Sequence, residues 1–172
     1  MWWGDERCVP PEDPASNYRL AHAALLSKVP IPAENVHRMR GELEPEAAAA
    51  AYASELAAHF GDELRFDLVL LGLGEDGHTA SLFPGSAALA ERRRWVAANW
   101  VESLDSWRLT LTYPAINASR HAVFLVQGAA KAGILKAVLE DEAGEYPASR
   151  VRLADGMLIW VVDEEAARDL DR

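Results

Sequence analysis

Cysteine is almost absent from this sequence, since Cys8 is the only one. One thiol cannot form a disulfide within the chain, which favours a reducing compartment, so we expect a cytoplasmic location. Long apolar runs are also absent, because none approaches the roughly 20 residues that span a bilayer. The first seven residues have neither the basic start nor the apolar core of a signal peptide. We therefore expect a soluble protein with no membrane partner.

Basic residues are scarce: Lys and Arg number 17 against 27 Asp and Glu, for a net charge of −10. This balance argues against nonspecific binding to nucleic acid, and we expect no nucleic-acid partner. An anionic ligand would require a few basic groups that converge locally, and the candidates are Arg7, Arg108, Arg120 and Lys131. The length of 172 residues is suited to one domain, which we place at residues 1–172.

Strands and helices alternate along the predicted chain. Helices are predicted from Ser16 as N-cap to about residue 26, from Pro45 to a stop at Gly61, over 129–139, and in a short segment after Asp163. Strands are predicted over residues 66–71, 95–98, 108–112, 121–126 and 158–162. The pattern predicts an α/β fold with three layers, in which helices cover both faces of a mostly parallel sheet.

The most informative segment is the glycine turn 72–84, which follows the apolar strand at 66–71 and carries Asp76 and His78. Ligands of open α/β sheets bind at the carboxyl ends of the strands, where this turn would lie. A tight loop with a solvated histidine is an equally good interpretation of the turn alone. Residues 72–77 also match a dinucleotide fingerprint, but no acidic residue follows about 20 positions on, so we expect no nucleotide cofactor. No metal-ligand spacing is present, and we expect no metal.

Several blocks resemble the 6-phosphogluconolactonases. They are Trp-Gly-Asp-Glu-Arg at 3–7, Val-Pro at 9–10, Ser-Asn at 16–17, Gly-x-Gly-x-Asp-Gly-His-Thr-Ala-Ser-Leu-Phe-Pro at 72–84, Arg-Leu-Thr-Leu-Thr-Tyr-Pro at 108–114, Gly-Ala-Ala-Lys at 128–131 and Pro-Ala-Ser at 147–149. Glucosamine-6-phosphate deaminases share the Asp-Gly-His but carry a Glu five residues after the His, where this chain has Phe83. Their proton transfers between carbon atoms need several acid/base groups, so the difference favours the lactonase.

The resemblance implies a deaminase- or ribose-5-phosphate-isomerase-like fold and hydrolysis of 6-phospho-D-glucono-1,5-lactone to 6-phospho-D-gluconate, the second step of the oxidative pentose phosphate pathway. It also implies that His78 accepts a proton from water, a role for which an imidazole side chain is suited at cellular pH. Asp76 would orient that imidazole or hold a sugar hydroxyl, although a turn-forming role is about as plausible.

Binding of the phosphorylated substrate is the second role that the resemblance implies. Arg7 and Lys131 would hold the phosphate, because a guanidinium offers a fork of donors and a lysine at a helix start adds charge to exposed N–H groups. Surface ion pairs are the alternative for both. Asp5 and, more weakly, Arg108 join the substrate-binding set. The backbone N–H groups of Gly74 and Gly77 would approach the substrate, unless these glycines serve only to allow a positive φ.

The resemblance fails at the start of the sequence. Family members usually begin with a further strand-helix portion that carries a Ser-Gly-Gly-Ser-Thr-Pro-like loop for the phosphate, and this sequence begins at Trp-Gly-Asp-Glu-Arg. We therefore expect an N-terminally truncated domain with an exposed apolar edge beside Trp2 and Trp3. A sugar-phosphate isomerase or deaminase and a noncatalytic sugar-phosphate-binding fragment remain as alternatives. A monomer is expected from the resemblance alone.

Overall fold

The computed structural model describes residues 1–170, and within them six strands and four α-helices form one hydrophobic core. The strands are β1 (Asp5–Arg7), β2 (Val69–Leu71), β3 (Val96–Val101), β4 (Ser106–Leu111), β5 (His121–Val126) and β6 (Met157–Val162). The helices are α1 (Asn17–Ala24), α2 (Pro45–Phe60), α3 (Tyr113–Asn117) and α4 (Ala132–Leu139). None of these helices is long and apolar enough to cross a membrane.

Two three-stranded sheets divide the strands equally. The first has the order β2-β5-β6 and is parallel, with Leu71 opposite Phe124 and Phe124 opposite Trp160. The second has the order β1-β4-β3 and is antiparallel. The α/β class and the parallel sheet are confirmed. The antiparallel sheet was not distinguished in the sequence, because its β1 has only three residues and no pattern of its own.

Local sequence signals account for the two longest predicted helices. The hydroxyl of Ser16 accepts a hydrogen bond from the backbone N–H of Arg19 and so caps α1, as predicted. Helix α2 begins with Pro45 and ends before Gly61, whose φ of 70° suits glycine. Helix α2 packs against β3 and β4 and thereby supports the antiparallel sheet.

Two predicted elements differ from the structure. Strand β2 begins at Val69 instead of residue 66, and its ladder with β5 starts at the pair Val69 and Ala122. The short helix predicted after Asp163 is wrong as far as residue 170, where the structure has turns. The N–H of Ala167 donates to the carbonyl of Asp163 and that of Leu170 to the carbonyl of Ala167, which are single turns and not a continuous helical ladder.

One face of the parallel sheet is exposed and apolar. Leu70, Leu125 and Val161 share this face by register, and each is at least half exposed. The exposed apolar edge was expected beside Trp2 and Trp3, and this position is wrong. Trp3 is buried, and the ring of Trp2 stacks on the His37 imidazole with 3.8 Å between the ring centroids. Other parts of the chain therefore cover both tryptophans.

A loop after α4 supports the glycine turn from behind. The carboxylate of Asp141 accepts hydrogen bonds from the N–H of Tyr146 at 2.8 Å and from the hydroxyl of Ser149 at 2.7 Å. The N–H of Ala148 in turn donates to the carbonyl of Gly77 at 2.9 Å. The hydrogen bonds to Asp141 lower the pKa of its carboxyl to about 2, and the bond from the Tyr146 N–H has the largest effect.

This pKa predicts how stability depends on pH. Because the folded value lies below the ordinary value of 3.8, the ionised Asp141 stabilises the fold above about pH 4, and that contribution is lost as the pH falls towards 2. Urea unfolding of wild type and Asp141→Asn should therefore differ by a constant free energy above about pH 5, with the difference shrinking below about pH 4. The exposed neighbour Glu142→Gln is the control, and an equal pH-dependent difference there would contradict the assignment.

Candidate active site

A cavity of ≈ 440 Å³ lies where the glycine turn meets the antiparallel sheet. Of the predicted site residues, all but Gly77 and the weaker candidate Arg120 line it: Asp5, Arg7, Gly74, Asp76, His78, Arg108 and Lys131. Ser103 and Leu104, from the hairpin between β3 and β4, close another side. The cavity therefore brings together residues from four separate parts of the sequence.

The imidazole of His78 is held by Asp76. Its Nδ1 lies 2.6 Å from Oδ1 of Asp76, and the same oxygen accepts the backbone N–H of His78 at 3.1 Å. Burial opposes ionisation of Asp76, but these two hydrogen bonds outweigh it and leave the pKa of Asp76 below its ordinary value. Because an ionised carboxylate only accepts, Nδ1 carries the hydrogen of this contact, which leaves Nε2 as the nitrogen that can accept a proton. His78 is thus equipped to act as a base.

The two glycines of the site serve the geometry of the turn. The N–H of Gly74 donates to the carbonyl of His78 at 2.8 Å, and the N–H of Gly77 donates to the carbonyl of Gly74 at 3.1 Å. Both amides are engaged within the turn, so the structure differs from the expectation that they approach the substrate. Gly77 has a φ of 79°, and a Cβ there would lie 2.6 Å from Cδ1 of Tyr146.

The carboxylate of Asp5 links β1 to the turn. It accepts the hydroxyl of Ser81 at 2.7 Å and the side-chain amide of Asn17 at 3.2 Å. Burial raises the pKa of Asp5, although the bond from Ser81 and the charge of Arg7 act in the opposite direction. Ser81 is held further by Asn99, a fully buried residue whose amide donates to the Ser81 carbonyl at 2.8 Å.

Three cations surround the cavity. Arg7 and Arg108 lie directly opposite each other in the ladder between β1 and β4. Burial, together with the charge of Arg7, lowers the pKa of Arg108. Lys131 stands at the start of α4, after a turn in which the N–H of Gly128 donates to the carboxylate of Asp163 at 3.0 Å. Two like charges on adjacent strands are unfavourable unless an anion lies between them.

Not every candidate is brought into the cavity. Arg120 is paired with Asp67 at 3.2 Å, at the amino end of β5, whereas the cavity lies beyond the carboxyl end of the neighbouring β2. Sequence reasoning also missed the structural partners Ser81, Asn17 and Asn99. The first two lie inside family blocks and were available as signals. Asn99 lies in a strand without any motif, so the sequence offered no signal for it.

A larger groove of ≈ 740 Å³ lies beside this cavity and shares Phe83 and Ser103 with it. Its walls include the exposed edge-to-face pair Trp100 and Trp107. The only basic side chain among its described lining residues is Arg94, which is paired with Glu91 at 2.6 Å. The groove therefore offers no unpaired cation for an anion among these residues and no histidine, and we place the chemistry in the smaller cavity. Within residues 1–170 no group of three His, Cys, Asp or Glu side chains could hold a metal ion.

The sequence matches known proteins over nearly its whole length. The family model described as glucosamine-6-phosphate isomerases/6-phosphogluconolactonase matches residues 1–160. The chain is 40% identical to the 6-phosphogluconolactonase of Haemophilus influenzae, over 98% of this chain and 72% of the relative. It is 43% identical to that of Synechocystis, over 99% of this chain and again 72% of the relative.

Solved structures agree with the sequence comparison. The crystal structure of devB protein superposes with a TM-score of 0.93 at 39% identity, covering 99% of this chain and 73% of that one. The fold, the identity to lactonases and the matched motifs all lead to one assignment. The chain belongs to the glucosamine-6-phosphate isomerase/6-phosphogluconolactonase family.

Proposed function

We propose that this chain hydrolyses 6-phospho-D-glucono-1,5-lactone to 6-phospho-D-gluconate, with His78 as the general base. One observation carries the proposal. The imidazole, fixed at Nδ1 by Asp76, lies in the same cavity as Arg7, Arg108 and Lys131. A neutral base beside a cationic site fits an uncharged lactone carbonyl that is joined to a phosphate.

The reaction needs one proton to be moved twice. Nε2 of His78 takes a proton from water while the water oxygen bonds to the lactone carbonyl carbon, which gives a tetrahedral oxyanion. Collapse of the oxyanion breaks the bond to the ring oxygen, and the imidazolium returns its proton to that oxygen to give the sugar hydroxyl. Asp76 stabilises the imidazolium between these steps, because its carboxylate accepts the Nδ1 hydrogen. The carboxylic acid product then ionises.

The phosphate would bind between the cations of the two sheets. Arg7 and Arg108 come from the antiparallel sheet, and Lys131 comes from the segment after β5 of the parallel sheet. An anion at this position relieves the repulsion between the two guanidinium groups. Asp5, in contrast, is acidic and bonded to Ser81 and Asn17. We propose that it orders the site and accepts a hydrogen bond from a substrate hydroxyl, while the phosphate stays with the cations.

Replacing the proposed base should greatly slow turnover. We expect His78→Ala to lower kcat by about 100-fold or more, since general base catalysis contributes about that much. Asp76→Asn should lower kcat less, because the ring is retained but its orientation and tautomer are not fixed. Lactone loss is followed directly and corrected for spontaneous hydrolysis. His121→Ala, an exposed histidine on β5, is the control. Turnover by His78→Ala at the wild-type rate would contradict the assignment.

Removing a cation should weaken binding of the phosphate. We expect Arg108→Ala and Lys131→Ala each to raise KM for the phosphorylated lactone by about tenfold or more, since a hydrogen bond to a charged group contributes about 1.5–3 kcal/mol. KM for the unphosphorylated glucono-1,5-lactone should change little. Arg120→Ala, whose partner is Asp67, is the matched control. An equal rise in KM for both lactones would show that the cation does not act on the phosphate.

Two other outcomes separate the remaining functions. Ammonia release from glucosamine 6-phosphate without lactone hydrolysis would establish a deaminase, which the apolar Phe83 beside His78 disfavours. Ligand-dependent stabilisation by 6-phosphogluconate without any turnover would establish a binding protein. Both outcomes would overturn the proposed hydrolysis.

A further inference from the structure

The ring of Phe83 is stacked on the imidazole of His78. The ring centroids lie 4.0 Å apart and the planes differ by 25°. Phe83 is 8% exposed, so this contact is largely shielded from water. The aromatic ring therefore covers one face of the group proposed as the base.

A second close approach comes from the backbone. A Cβ built on Gly74 would lie 2.0 Å from Nδ1 and 2.3 Å from Cε1 of His78, so only glycine fits against this imidazole. The imidazole ring therefore has three separate contacts within the glycine turn: a hydrogen bond to Asp76 at Nδ1, the backbone of Gly74 and the ring of Phe83. Rotation of the imidazole about its side-chain bonds would break at least one of them.

Phe83 is itself held by the protein core. Its carbonyl accepts both the backbone N–H of Ser86 at 3.1 Å and the Ser86 hydroxyl at 2.8 Å. The Ser86 hydroxyl also accepts the amide of the fully buried Asn99 at 3.0 Å. The aromatic ring thus belongs to a segment that is tied to β3 and provides a firm support for the imidazole.

We infer that Phe83 is a positioning residue, whose stacked ring fixes the plane of the His78 imidazole so that Nε2 points at the water it deprotonates. The inference rests on the proposed function, since it assumes that His78 is the base. Asp76 sets which nitrogen carries the hydrogen, but a single hydrogen bond at Nδ1 still allows the ring to tilt about it. The stacked ring and Gly74 remove that freedom. Misplacement of a reacting group by about 1 Å can cost about 100-fold in rate.

The test compares Phe83→Leu with Phe83→Tyr. Leucine keeps an apolar side chain but removes the stacking, and we expect kcat to fall about tenfold or more while KM for the phosphorylated lactone changes less than about twofold. Tyrosine retains the ring and should restore kcat. Phe66→Leu is the matched control, because Phe66 is 7% exposed and contacts Phe60 instead of the imidazole. It should leave kcat unchanged.

Nuclear magnetic resonance gives an independent readout in the free protein. Stacking on Phe83 should shift the imidazole proton resonances of His78 upfield in the wild type, and Phe83→Leu should move them towards the values of a free histidine. Gly74→Ala should displace the same resonances and lower kcat, whereas Gly72→Ala, with open space around its Cβ, should leave the resonances in place. The His78→Ala spectrum assigns the signals.

The outcomes distinguish this inference from the proposed function. A wild-type protein without lactonase activity overturns the proposed function and, with it, the role of Phe83 as support for a base. An active wild type in which Phe83→Leu keeps kcat overturns the inference alone. A rise in KM without a loss of kcat also overturns it, since Phe83 would then contact the substrate. If Phe83→Leu does not fold, unshifted imidazole resonances in the wild type still contradict the stacking.

Discussion

The hydrogen bond from the Ser81 hydroxyl to the Asp5 carboxylate is the contact on which the site depends. Asp5 lies in β1 of the antiparallel sheet, whereas Ser81 follows the turn that leaves β2 of the parallel sheet. The amide of Asn99 and the hydroxyl of Thr110 hold Ser81 from the antiparallel side as well. These contacts lock the loop that carries His78 against the strand that carries Arg7, so base and anion site keep a fixed separation.

The two sheets contribute different chemistry and are covered to different extents. The antiparallel sheet supplies the two arginines and is supported by α2, while the parallel sheet supplies the turn with the base. Parallel sheets are usually covered on both faces, yet Leu70, Leu125 and Val161 are exposed here. The chain spans 72% of the length of the lactonases of Haemophilus influenzae and Synechocystis. Because the glycine turn starts directly after Leu71, the open face lies next to the turn that carries the proposed base.

Short-range sequence signals predicted the helix ends that depend on neighbouring residues. The hydroxyl cap at Ser16, the proline at position 45 and the glycine at position 61 each act within one helical turn, and α1 and α2 begin or end there as predicted. Strands near β3 and β4 were predicted but not their antiparallel pairing, and β1, which pairs with β4 about 100 residues away, was missed. The helix predicted after Asp163 is wrong: the Asp163 carboxylate accepts the N–H of Ala166, as a helix cap would, but residues 164–169 form turns.

Most residues predicted for the site line one cavity, but the contacts that Gly74 and Phe83 make with His78 were not predicted. Gly74 was expected to present its amide to substrate, whereas its lack of a side chain is what the adjacent imidazole requires. Phe83 was noticed in the sequence for the carboxylate it replaces, and only the fold shows its ring on His78. An acid at that position would place a second titrating group against the base, which suits proton shuttling between carbons. An apolar ring leaves the imidazole as the one proton acceptor on that side, which is what addition of water to a carbonyl requires.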